Sequence, residues 1–210
     1  MKIRLFPAAA AAVALLAAVG ATTAIAQTAG ATAALLTIHS VPAKNLAKLT
    51  VTSPAFTAGQ PIPLANSAYG DNRMPGLSWT AGPAGTKSYV VILEDPDAGP
   101  QRPFLHWIAA NIPATMTSLP AGMTTAPAGS GIIQTGVRGQ AQYFGPRPPA
   151  GGPHNYTFQV FALDTMVSGA DGITLADLKT QMQGHVLASG YLVGTYTGPA
   201  AAPAPAPKAN

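Results

Sequence analysis

The chain has 210 residues, of which only 9% are charged, with 11 Lys and Arg against 7 Asp and Glu. It contains no cysteine, which excludes disulfides, thiolate nucleophiles, Cys-based zinc sites and dithiol redox motifs. The formal net charge of +4 is scattered, with no Lys/Arg cluster interleaved with aromatics, so a nucleic-acid surface is excluded as well.

Met1 to Ala26 follow the pattern of a secretory signal. Lys2 and Arg4 form a positive start, Ala8 to Ala18 an apolar run, and Ala24-Ile25-Ala26 a small-residue cleavage site, so Gln27 is the expected mature N-terminus. An uncleaved anchor is the alternative, but the run is mostly Ala and is interrupted by Thr22-Thr23. No later segment approaches the ~20 apolar residues that a span requires. The protein is therefore expected to be periplasmic or secreted, without a membrane span after cleavage. Residues 27–34 read as a loose leader and 35–197 as the folded unit. Residues 198–210, almost all Ala and Pro, read as a disordered tail, because alternating prolines join neither helix nor sheet interior.

Within the folded unit, 22 Gly and 21 Pro along the chain favour many turns over a helical bundle. Short runs rich in β-branched and aromatic residues predict strands at Leu35-Ser40, Leu49-Ser53, Ser88-Asp95, Phe104-Asn111, Tyr156-Leu163 and Tyr191-Thr197. Ser88-Asp95 is apolar on both faces, as a strand inside a two-layer stack should be. One helix is predicted after a Thr174 cap with Asp177 three residues on. Leu175, Leu178, Met182, Val186 and Leu187 carry its periodicity, and it is expected to end near Ser189-Gly190. The fold class is thus mostly β: a two-sheet antiparallel β-sandwich with one or two peripheral helices.

The residues that can carry chemistry lie at the strand ends. Asp95-Pro96-Asp97-Ala98 leaves a strand and places two carboxylates at a rim. In Phe104-Leu105-His106-Trp107-Ile108, strand alternation puts His106 on one face with Phe104 and Ile108. That position suits either a site residue or a core histidine satisfied by a backbone carbonyl. Tyr143-Phe144-Gly145-Pro146-Arg147-Pro148-Pro149-Ala150-Gly151-Gly152 is a Pro-braced loop. In it Gly145 permits close backbone approach to a ligand, and the amides of Gly145, Arg147 and Ala150 onward could form an anion nest. His154-Asn155-Tyr156 opens the next strand, with His154 at the rim and Tyr156 either a site residue or a core aromatic. Arg147 is either a cation at the mouth or a solvated side chain, and His185 reads as structural or interfacial, not as a ligand.

Taken in order, Asp95-Pro96-Asp97-Ala98, His106-Trp107 followed by Asn111-Ile112-Pro113, the Gly145-Pro146-Arg147-Pro148-Pro149-Ala150-Gly151 loop, and His154-Asn155-Tyr156-Thr157-Phe158 form a motif series. It resembles that of the phosphatidylethanolamine-binding family, in its bacterial Raf-kinase-inhibitor-like branch. Pro83-Ala84-Gly85-Thr86-Lys87-Ser88, Gly184-His185-Val186-Leu187-Ala188 and Leu192-Val193-Gly194-Thr195-Tyr196 extend the likeness over about residues 49–197. The chain departs from the pattern at Ala98-Gly99-Pro100, where the family usually has Pro directly after Ala, and at Met74-Pro75, where Ser-Pro is common. The resemblance implies two antiparallel sheets with a small pocket at one end. That pocket takes phosphate or phospholipid head groups and is lined or shaped by Asp95, Asp97, His106, Gly145, Pro148, Pro149, His154 and Tyr156. A carboxylate beside a phosphate is repulsive, so Asp95 is expected to accept a hydrogen bond from a histidine and fix its tautomer. Alternatively, Asp95 or Asp97 meets the ammonium of an ethanolamine head group.

The expected function is therefore an exported module that binds a small anion, with no cofactor, no metal and no catalytic residue. It could regulate or inhibit a partner outside the cytoplasm. A protein-interaction scaffold with a vestigial pocket is one alternative, with Gly99-Pro100-Gln101-Arg102-Pro103 and the Ala114–Gly131 loop as its contact surfaces. The other is a metal-dependent hydrolase built on the His/Asp cluster, although neither His-Glu-x-x-His nor Gly-x-Ser-x-Gly is present.

Overall fold

The computed structural model describes residues 33–99 and 103–200. The expected export signal, most of the expected leader, Pro100-Gln101-Arg102 and the tail from Ala201 lie outside the described residues.

Strand β4 (Ser88–Asp95) is buried at every position, and its two apolar faces serve two different cores. Tyr89, Val91 and Leu93 point into one hydrophobic cluster, Val90 and Ile92 into another. The strand sits inside a six-stranded sheet in the order β1-β9-β8-β4-β5-β7. Its members are β1 (Ala47–Lys48), β5 (Phe104–Pro113), β7 (Ile133–Gly136), β8 (His154–Leu163) and β9 (Val186–Tyr196). All neighbours are antiparallel except β1, which runs parallel to β9 at the edge. A second sheet, β2-β3-β6, consists of Val51–Thr52, Leu77–Trp79 and Ser118–Leu119. Val51, Leu77, Trp79 and Leu119 from the small sheet close the first cluster over Phe158, Val160 and Trp107. On the far face, the helix Leu175–Met182 lays Leu178 and Met182 on Ile108, Phe161 and Val186. The molecule is mostly β with two sheets and few helices, as expected.

Two sequence expectations need correction. Leu35-Ser40 is not a strand; Thr37–Ser40 forms one helical turn. Its amides are satisfied by side chains instead of a neighbouring strand: Thr37 N–H donates to Glu94 Oε2 at 2.9 Å and Ile38 N–H to Gln159 Oε1 at 2.7 Å. The edge beside β9 is taken instead by Ala47–Lys48. The second helix does begin at its Thr174 cap, which accepts from the Asp177 amide, but it stops at Met182. Gly184 adopts φ +72°, a left-handed conformation suited to glycine. Val186 then enters β9 and reaches the core of Leu178 and Met182 from the sheet, not from the helix.

Candidate functional site

Three adjacent strands bring the candidate residues to one rim. β8 begins there, β4 ends there and β5 begins there, so His154, Asp95 and Phe104-Leu105-His106 converge although they are far apart in sequence. The β4–β5 register slips at this end: Leu93 faces Trp107 while Glu94 faces Leu105, leaving His106 as the extra residue of a β-bulge. Bulges re-aim side chains beside sites, and this one overturns the simple alternation expected for β5. His106 keeps Phe104 as a neighbour, ring centroids 4.9 Å apart, but Ile108 faces the helix-side core. The imidazole instead meets Tyr156, edge to face at 5.2 Å, and stacks on Phe144 at 5.6 Å.

His106 is 3% exposed, and its Nδ1 lies 3.1 Å from the Phe144 carbonyl. A carbonyl can only accept, so Nδ1 carries the proton and donates. Burial in this aromatic box drives the pKa down to about 4, against the pull of Asp95 and the Phe144 carbonyl. At neutral pH the ring is neutral and Nε2 holds a lone pair. His106 is thus a core histidine satisfied by a carbonyl that also lines a cleft.

Asp95 is 2% exposed. Its Oδ2 accepts from His154 Nδ1 at 2.8 Å and its Oδ1 from the Asp97 amide at 2.8 Å. The expected Asp–His pair therefore exists, and its histidine is His154. Asp97 is held in turn by Asn155, whose backbone N–H and Nδ2 both donate to Oδ2, at 2.7 and 2.8 Å. Tyr156 is 0% exposed. Its hydroxyl lies beside the Asp95 carboxylate and the Arg147 amide, yet neither meets the geometry of a hydrogen bond. Burial and the nearby Asp95 charge push its phenol far above the ordinary tyrosine range.

These groups open on one cleft of about 430 Å³, walled by Phe104, Phe144, Pro148 and Pro149, with Arg147 at its edge. The proline wall is fixed from behind. Tyr69 Oη donates to the Pro148 carbonyl at 2.7 Å, and Arg147 lies 5.8 Å from the Tyr69 ring. Gly145 is placed differently from the expectation. Its amide donates to Asn72 Oδ1 at 2.8 Å, and a Cβ there would collide with the Asn66 carbonyl. The close approach that glycine permits is between two protein loops, not toward a ligand, and its N–H is unavailable to an anion nest. Asp95, Asp97, His106, Pro148, Pro149, His154 and Tyr156 all face the cleft.

Sequence reasoning left Phe144, Asn155, Tyr69 and Asn72 without roles. Phe144 and Asn155 stand inside quoted motifs; Tyr69 and Asn72 act through tertiary contacts, which leave no residue-type signal. His185 lies elsewhere, donating through Nδ1 to Asp164 Oδ1 at 2.7 Å while Lys44 holds Oδ2 at 2.8 Å. These two bonds hold the Asp164 carboxyl below its ordinary pKa. Among the described residues, no three His, Asp or Glu side chains are grouped to share one metal ion. A second cavity of about 270 Å³, lined by Leu36, Ile38, Tyr191 and Val193, shares Asp97 with the cleft. The convergence of titratable and unpartnered polar groups places the candidate site in the larger one.

Similar proteins share this architecture. A family model described as Phosphatidylethanolamine-binding protein matches residues 52–197. A protein of Aquifex aeolicus designated UPF0098 is 38% identical over 150 residues, covering 70% of this chain and 86% of that one. A Mycobacterium tuberculosis protein named as a lipoprotein, LppC, is 35% identical over 165 residues, 76% of this chain and 77% of its own length. The crystal structure of a phosphatidylethanolamine-binding protein homolog from Chlamydia trachomatis superposes with a TM-score of 0.64. It is 35% identical and covers 72% of this chain and 99% of that one. Among the described residues, no helix is long and apolar enough to cross a membrane.

Proposed function

The chain belongs to the phosphatidylethanolamine-binding protein family, and from that premise we propose that it is an exported binding protein whose cleft takes a small phosphate-bearing ligand without turning it over. The observation that carries this is the Asp95–His154 pair. A buried carboxylate fixes His154 through Nδ1 and leaves Nε2 as the ring's remaining polar atom in a cleft that Arg147 also lines. A positioned imidazole and a guanidinium form a set suited to oxyanions. Export is supported by the Lys2/Arg4, apolar and Ala-x-Ala pattern at the N-terminus, and by the lipoprotein designation of the mycobacterial relative. A partner regulated through this cleft would then lie outside the cytoplasm.

The test is calorimetric titration with inorganic phosphate and phosphoethanolamine, on wild type and on Asp95→Ala and His154→Ala variants shown to be folded by circular dichroism. Saturable binding by wild type that both variants lose is the expected result. A wild type that takes up neither compound would sink the proposal and favour the scaffold reading. Mass spectrometry of the protein recovered from its producing cells should find Gln27 as the first residue.

A further inference from the structure

An apolar groove runs along β9, away from the rim cleft. Two cavities, of about 590 and 270 Å³, share Ile38, His39 and Tyr191 and so are continuous. The floor is the helix-side face of β9, where Ser189, Tyr191 and Val193 alternate outward opposite Phe161, Gln159 and Thr157. One wall is the segment around Ile38, whose amide is anchored on Gln159. The other is Leu46 with the edge strand β1. Leu46 is 79% exposed and Tyr191 55% exposed. Leu46 also adopts φ +54°, a region where a leucine is uncommon. Water meets both apolar side chains, a cost that a bound apolar group would relieve.

The two ends of the groove differ in charge. Lys48, opposite Ser189 in the β1–β9 register, makes no ion pair among the described residues. No carboxylate of the described residues lines that half, and Lys44 nearby in the chain is already held by Asp164 at 2.8 Å. Asp97 stands at the rim end, its Oδ2 engaged by the Asn155 amide and Nδ2. Four residue steps from Ser189 to Val193 give about 13 Å of floor, the reach of a medium-length alkyl chain.

We propose that this groove is a second binding site, taking a linear anionic amphiphile whose alkyl chain lies on Tyr191, Ile38 and Leu46 and whose head meets Lys48. Charge sets the direction, because an anionic head turned toward the rim would face Asp97. A cationic head turned that way would find Asp97 already hydrogen-bonded, whereas Lys48 is unpaired. The site uses neither His106 nor the Asp95–His154 pair, so it stands or falls separately from the phosphate reading.

Calorimetry at pH 7.5 is run with hexanoate, octanoate, decanoate and decyltrimethylammonium, each below its micelle concentration. The proteins are wild type, Tyr191→Ala, Lys48→Glu and Asp95→Ala, with folding checked by circular dichroism. Wild type should bind decanoate saturably, with affinity rising about two- to fourfold per methylene along the series. Tyr191→Ala should weaken decanoate about tenfold through lost apolar contact, and Lys48→Glu at least fivefold through charge reversal. Asp95→Ala should bind it as wild type does. The proposal is overturned if wild type shows no saturable binding, if decyltrimethylammonium binds as tightly as decanoate, or if Lys48→Glu changes nothing. Binding lost in Asp95→Ala but kept in Tyr191→Ala moves the amphiphile to the rim cleft and overturns it too. So does light scattering that finds a ligand-free wild-type dimer dissociated by Tyr191→Ala, since a second copy then covers the groove.

Discussion

Burying His106 as a neutral ring makes the fold sensitive to acid in a way that can be worked out. Its folded pKa is about 4 against 6.5 for the free side chain. Between those values the unfolded chain takes up a proton that the folded chain refuses. Stability from this residue is fully present above pH 6.5, falls as pH drops toward 4, and levels off below. The gap of about 2.5 pH units corresponds to about 3 kcal/mol at 1.36 kcal/mol per unit. Other groups titrate in the same range, so the measurement is a difference. Urea unfolding is followed by circular dichroism at pH 7, 6, 5 and 4 for wild type and His106→Gln, whose amide can still donate to the Phe144 carbonyl. At pH 7 the variant should be less stable by about 1–2 kcal/mol, for imperfect packing in the aromatic box. By pH 4 that advantage of wild type should have vanished or reversed, since only wild type pays for the proton. Asp95, Glu94 and the remaining carboxylates are common to both proteins and cancel to first order. A wild-type-minus-variant difference that stays constant from pH 7 to 4 would refute the argument that His106 is held neutral by burial.

Three further outcomes follow from single contacts. Glu94→Ala removes the acceptor for the Thr37 amide and Gln159 Nε2, which donate to it at 2.9 and 2.7 Å. Two buried donors left unpaired should cost about 3 kcal/mol, and hydrogen exchange should show the Thr37 amide exposed before the sheet. Gly145→Ala forces a methyl group into the Asn66 carbonyl; chemical denaturation should register about 1–3 kcal/mol, and calorimetry a weakened affinity for phosphate as the Pro148-Pro149 wall shifts. Thr174→Ala deletes the side-chain oxygen that accepts the Asp177 amide at 3.1 Å and should lower stability by about 1 kcal/mol, with the cleft and its ligand binding unchanged.

The long strands were legible because their residue types repeat over enough positions to exceed chance. Ser88–Asp95 falls where the apolar run predicts it, and β5, β8 and β9 overlap the predicted runs. The strands Ala47–Lys48, Leu77–Trp79, Ser118–Leu119 and Ile133–Gly136 were not predicted, because two to four residues carry no periodicity. Val186 was assigned to the helix for the opposite reason. Its burial beside Leu178 and Met182 is real, but a sequence period cannot tell a third helical turn from a strand that returns to the same core.

The residue types of the cleft were written in the chain: acids after a strand, a histidine before a tryptophan, a Pro-braced loop, a histidine opening a strand. Composition and pattern are local properties, and they sufficed to place these residues at the ends of strands. The pairing among them is not local. β4 lies between β5 and β8, so strand order alone offers Asp95 both histidines; the Phe144 carbonyl takes Nδ1 of His106, and Asp95 pairs with His154. That His106 turns toward Tyr156 depends on a single-residue slip in the β4–β5 register. Its proton sits on Nδ1 because a carbonyl from a loop 38 residues away comes within 3.1 Å. Hydrogen-bond direction and burial arise only when distant segments pack together, and these two quantities decide how Asp95, His106, His154 and Tyr156 meet at one cleft.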